Sequence, residues 1–116
     1  MTVQQLRTTL VNIGSLADQD AKLRDLFVGR LDAWAADEST IERLLDDLNR
    51  TLGNVWFSSP AVHTMVFQAL EGFAKEVHGI SGMTVNERLF TVGLLDAWDG
   101  ANETTRKRFR SKLGAA

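Results

Sequence analysis

The chain has no cysteine, no tyrosine, one proline and two histidines among its 116 residues. Each shortage removes a class of explanation. Without cysteine there is no disulfide framework, no thiolate nucleophile and no Cys-ligated zinc, and the composition suits a reducing compartment, so a cytoplasmic location is expected. His63 and His78 stand fifteen residues apart, in neither the H-x-x-x-H nor the H-E-x-x-H spacing that puts two ring nitrogens on one helix face, so no metal site is expected. They read instead as residues at a helix start and a helix end. No G-x-S-x-G elbow, Walker loop or G-x-G-x-x-G run occurs. No catalytic residues and no cofactor are expected, and enzyme is the least supported class. No uninterrupted apolar run approaches the length of a membrane span, and the opening Met1-Thr2-Val3-Gln4-Gln5-Leu6-Arg7 lacks the pattern of a signal peptide, so no membrane association is expected.

What is present is the composition of an ordinary soluble globular domain, 44% hydrophobic and 24% charged, in a length that makes 1–116 a single domain with a real core. The lone proline and a nearly continuous helical spacing of apolar residues predict an all-α fold, a compact bundle of five or six short helices. The first runs from about Val3 to Ile13 and ends at Gly14-Ser15. The second spans roughly Leu16 to Ala36, with Leu16, Leu23, Leu26, Phe27, Leu31 and Trp34 inward. Ser39 and Glu42 have capping-box spacing before a third, which carries Ile41, Leu44, Leu45, Leu48, Leu52, Val55 and Trp56. Ser59-Pro60 is a strong start signal for a fourth at 60–78, whose stripe is Val62, Met65, Val66, Ala69, Leu70, Phe73 and Val77, with Gly79 as a left-handed terminator. After a linker from Gly79 to Gly82, Thr84 and Glu87 form a second capping box opening a helix that ends near Trp98. Asn102 caps a last helix that stops at Gly114.

One phrase occurs twice. Val28-Gly29-Arg30-Leu31-Asp32-Ala33-Trp34 returns as Val92-Gly93-Leu94-Leu95-Asp96-Ala97-Trp98, sixty-four residues later with one mismatch in seven positions, and Arg24 and Arg88 are also in register. The reading is two pseudo-equivalent helical hairpins, 16–57 and 84–113, around the helix at 60–78. A mid-helix glycine costs about 1 kcal/mol relative to alanine, so Gly29 and Gly93 are expected to touch another helix. Trp34 and Trp98 are then expected to be buried, and Asp32 and Asp96, over 100° around the helix from them, solvated. The mismatch places Arg30 amid Leu23, Leu26, Phe27 and Trp34, where it can snorkel, stack on Trp34, pair with a buried acid or reach a partner.

The cations are uneven: Arg106, Lys107, Arg108, Arg110 and Lys112 are five of thirteen, and the remainder is acidic. Lysine and arginine near a helix C-terminus are a routine stop signal, but the run is also a candidate nucleic-acid patch, or one that clasps acidic Glu42, Asp46 and Asp47 of this chain or of a second copy.

The segment Met83-Thr84-Val85-Asn86-Glu87-Arg88-Leu89-Phe90, continuing to Gly93-Leu94-Leu95-Asp96-Ala97-Trp98, resembles the opening of short uncharacterised bacterial helical proteins that begin with an Asn-Glu-Arg-Leu-Phe segment and a Gly-Leu helix. The resemblance covers 83–98 and departs after Trp98, where the basic run begins. It implies a bacterial origin and assigns no functional residues. The expectation from the residues themselves is a small non-catalytic module that binds another protein, of the regulator, adaptor, immunity-protein or inhibitor type, with Arg30, Trp34, Trp98, Arg106 and Arg110 as partner-binding residues. The alternatives are nucleic-acid binding through the basic C-terminal helix and self-assembly, as a homodimer or as a structural protein of phage type.

Overall fold

The computed structural model describes residues 1–37 and 39–114. Their order is α1 (Val3–Val11), α2 (Asp18–Ala36), α3 (Ile41–Asn54), α4 (Pro60–His78), a 3₁₀ turn (Ile80–Gly82), α5 (Val85–Val92), α6 (Leu95–Asp99) and α7 (Glu103–Lys112), with no strand among the described residues. The fold is all-α, and its seven α-helices exceed the five or six expected because one predicted helix is broken in two. Helices α1 to α4 pack as a ring, α1 on α2, α2 on α3, α3 on α4 and α4 back on α1. Their shared interior holds Leu6, Leu10, Phe27, Leu31, Ile41, Leu48, Val66, Leu70 and Phe73, with Leu89, Val92, Phe109 and Leu113 extending it under α5 and α7.

Most starts follow local chemistry. Ser59 Oγ accepts from the Val62 amide ahead of Pro60, Thr84 and Glu87 close a capping box, and Asn102 Oδ1 accepts from the Thr105 amide. These satisfy amides that the first helical turn leaves without partners. At α3 the cap lies one residue later than expected. Thr40 Oγ1 accepts from the Arg43 amide, while Ser39 donates through its amide and hydroxyl to Asp37 Oδ1 at 2.9 and 2.6 Å. Thr40 therefore makes the cap, and Ser39 closes the turn before it.

Several expected ends move. Helix α3 stops at Asn54 instead of carrying Val55 and Trp56 along its stripe, because Val55 is extended (φ −121°, ψ 156°). Gly79 is not a left-handed terminator: its φ is −86°, and the chain runs on into the 3₁₀ turn. The helix expected from Thr84 to Trp98 breaks at Gly93, whose φ is +86°. There the Gly93 amide donates to the Phe90 carbonyl at 3.2 Å and the Leu94 amide to the Leu89 carbonyl at 2.8 Å. That pair of bonds is a Schellman stop.

The repeated phrase therefore has two backbones. In the first copy it is uninterrupted helix through α2; in the second it ends α5, turns and begins α6. The single mismatch falls at the break. A Schellman stop is usually accompanied by an apolar contact from the residue after the left-handed one, and Leu94 packs against the core there. Arg30, at the same place in the first copy, is exposed. The segments 16–57 and 84–113 are accordingly not equivalent hairpins: the first is α2 with α3, the second three shorter helices. Gly29 is exposed and a Cβ there would meet nothing within 4 Å. Its expected close packing is absent.

Candidate functional site

The basic helix α7 is occupied chiefly with holding the fold together. Lys112, only 1% exposed, donates from Nζ to the backbone carbonyls of Trp34 and, at 2.7 Å, Asp37, and stands 4.0 Å from the Trp34 ring centroid. It thus sets its donor on the carbonyl end of α2, the end whose dipole favours a basic side chain. Arg106 donates to the Trp98 carbonyl at 3.1 Å and lies over the Trp98 ring, 5.1 Å from its centroid; Arg110 reaches the same ring at 5.8 Å and pairs with Glu103 at 3.1 Å. Lys107 remains exposed and Arg108 is half-buried.

The register-matched arginines follow the same logic. Arg24 donates to the Leu10 and Val11 carbonyls at 3.3 and 3.2 Å, ending α1. Arg88 donates to Met83, Ser81 and Leu113 carbonyls at 3.0, 3.0 and 2.9 Å, tying the end of α7 to the turn before α5. In each case a guanidinium satisfies carbonyls that no intrahelical amide reaches.

Of the residues expected to meet a partner, Trp34 is buried in the core and Trp98 is half-buried beneath Arg106 and Arg110. Arg30 lies on the exposed face of α2, away from the buried Phe27, Leu31 and Trp34 that were expected to surround it, and Leu26 is exposed beside it. Helix α2 turns Val28 inward in their place. Asp32 and Asp96 are exposed as expected, Asp32 paired with Arg7 at 2.8 Å. The structure brings Trp98, Arg106 and Arg110 together but leaves Arg30 apart from them.

The most prominent unused surface lies at the α3–α4 corner. Asp20, 1% exposed on the first turn of α2, accepts from the Ser58 amide at 2.7 Å, the Ser58 hydroxyl at 2.9 Å and the Ser59 amide at 3.2 Å. The Ser58 amide above all, then the Ser58 hydroxyl and the Ser59 amide, hold its carboxyl below the usual range against burial, which pushes the other way. This anchor fixes the link between the helices. Phe57 turns inward and stacks on Phe27, ring centroids 6.3 Å apart. Neighbouring side chains of extended backbone point to opposite sides, so Trp56 is directed outward and is 77% exposed. Its indole rests on the His63 ring, centroids 4.8 Å apart, with Phe57 edge-on to the same imidazole at 5.8 Å. Phe67, one helical turn beyond His63, is 49% exposed. These residues form an aromatic ridge.

A second apolar feature is a groove of about 730 Å³ where the start of α1, the end of α4 and the α5–α6 break meet. Met83, Phe90 and Leu95 provide much of its apolar lining, with Lys75, Glu76 and Asp96 among its polar residues. Phe90 is 73% exposed. Phe90 lies on the last turn of α5, three residues before the break at Gly93.

Sequence reasoning missed Trp56, His63, Phe67 and Phe90. A signal for the first was present: Gly53-Asn54 is a helix-stop pair that would have ended α3 before Trp56. Phe67 falls outside the α4 stripe, which was also misread at Met65, an exposed residue. Among the described residues no three His, Asp or Glu side chains are grouped to hold a metal ion, and no helix is long and apolar enough to cross a membrane. Compared with protein-family models, curated proteins and solved structures, the chain matches none.

Proposed function

We propose that this chain is a small non-catalytic protein-binding module that docks its partner on the ridge of Trp56, His63 and Phe67. The observation that carries the reading is the state of Trp56: a large aromatic side chain 77% exposed yet held in place against His63. Tryptophan is enriched among residues that dominate binding energy, and a ring already held in one orientation loses little conformational freedom on docking. The anchoring of its loop through Asp20 supports the same reading, since Ser58 and Ser59 fix the backbone next to it. A partner contact moves accordingly from Arg30, Trp34, Trp98, Arg106 and Arg110 to the opposite kind of surface, aromatic and poor in charge. Nucleic-acid binding through α7 is the weaker reading, because Arg106, Arg110 and Lys112 already engage protein groups.

The test is affinity capture from extracts of the cells that produce the chain, with wild type compared against Trp56→Ser and against Arg30→Ser. A partner retained by wild type and Arg30→Ser but lost by Trp56→Ser supports the ridge. Equal retention by all three refutes it.

A further inference from the structure

We infer that residues 94–114, which hold α6 and α7, form a strap that opens as one unit about Gly93 while the ring of α1 to α4 stays folded. From Gly93 to Arg108 no residue is buried, the longest such run among the described residues. Leu94, Leu95, Trp98 and Ala101 are only partly covered where they meet the core. Burial resumes at the far end, with Phe109, Lys112 and Leu113. The strap is therefore fastened at its ends and loosely seated between them, so little apolar burial opposes its release.

Its polar contacts divide in the same way. Arg106 donates to the Trp98 carbonyl at 3.1 Å and the Asp99 carbonyl at 3.5 Å, Arg106 and Arg110 both lie over the Trp98 ring, and Arg110 pairs with Glu103. All of these join one part of the strap to another, so they survive opening and keep α6 with α7. The contacts that opening breaks form a clasp. Lys112 Nζ donates to the carbonyls of Trp34 and Asp37, and Arg88 donates to the Leu113 carbonyl at 2.9 Å. At the other end Gly93, at φ +86°, has no side chain to restrict its backbone and serves as the hinge. Opening uncovers Trp34, which is 2% exposed with Lys112 over its ring in the closed chain, together with the last carbonyls of α2.

Native-state hydrogen exchange, followed amide by amide by NMR in rising urea, tests this. The protected amides of α6 and α7 are expected to share one opening with a weak urea dependence, because little surface is exposed, while the slowest amides of α3 and α4 require global unfolding. Val66→Ala separates the two routes. Val66 is buried in the N-terminal half of α4, near the corner where Asp20 at the start of α2 holds Ser58, whereas the clasp sits at the other end of α2. The substitution should speed exchange in α3 and α4 by about tenfold or more and leave α6 and α7 unchanged, since the ring is intact when the strap is open. Lys112→Met, which breaks the clasp, should speed exchange in α6 and α7. Equal acceleration of α3 and α7 by Val66→Ala, rates that rise residue by residue toward the C-terminus as in fraying, or α7 exchange indifferent to Lys112→Met would each overturn the inference.

Discussion

The two glycines of the repeated phrase should respond to alanine with opposite signs. Gly29 lies inside α2, is exposed, and would place a Cβ in open space. Alanine there removes the mid-helix glycine penalty and should stabilise the chain by about 1 kcal/mol. At Gly93 the same change meets two obstacles. An L-residue at φ +86° costs about 1–2 kcal/mol. The new Cβ would also stand 3.0 Å from Thr2 Cβ and 3.2 Å from Thr2 Cγ2. Thr2 is not free to yield, because its Oγ1 accepts from the Gln5 amide at 3.1 Å and its own amide donates to Gln5 Oε1 at 2.8 Å. Displacing it gives up the cap of α1, worth about 1 kcal/mol, so the total loss at Gly93 should be roughly 2–4 kcal/mol. The gap between the variants is then about 3–5 kcal/mol, or more than 10 °C in Tm at roughly 4 °C per kcal/mol for a domain of this size. Urea and thermal unfolding followed by circular dichroism would measure it. If both variants move in the same direction, the two copies share a backbone after all and the Schellman stop at Gly93 is wrongly assigned.

Further outcomes follow from single contacts. Lys112→Met should destabilise by about 2–4 kcal/mol, by stripping the carbonyls of Trp34 and Asp37 of a buried donor, while Lys107→Met in the same basic run should stay within about 0.5 kcal/mol; chemical unfolding of the pair checks this. Asp20 has a lowered pKa in the folded chain, so the folded state holds fewer protons than the unfolded one in acid; the stability it contributes is complete above its unfolded value of about 3.9 and is lost as pH falls through the folded one. Asp20→Asn should therefore be less stable at neutral pH and show a flatter acid limb, and parallel limbs for wild type and variant would refute the assignment. Iodide quenching of single-tryptophan variants should reach Trp56 readily and Trp34 hardly at all, and equal quenching would remove the ridge.

Helix type and most starts were legible because they depend on neighbours in sequence. Ser59-Pro60, Thr84 with Glu87, and Asn102 each carry their cap within a few residues, and the stripe Val62, Val66, Ala69, Leu70, Phe73 and Val77 repeats at helical spacing. What was not legible depended on tertiary geometry. That Gly93 turns left-handed while Gly29 stays helical goes with Leu94 packing against the core, a tertiary contact that spacing along the chain does not reveal. Lys112 looks like any terminal lysine until α7 is laid against the end of α2, across 78 residues of sequence. The outward turn of Trp56 goes with Asp20 fixing Ser58, thirty-eight residues further along the chain. The exposed ridge was hidden for the same reason: periodicity identifies what a helix can bury, and Trp56 leaves the helix two residues before its position on the stripe would matter.

The central claim, that Trp56 is the docking residue, is most directly tested by photo-cross-linking in extracts of the cells that produce the chain. A photoreactive side chain at position 56 is predicted to give a discrete adduct of higher mass that the same side chain at exposed position 30 does not give. No adduct from position 56, or the same adduct from both positions, would contradict it.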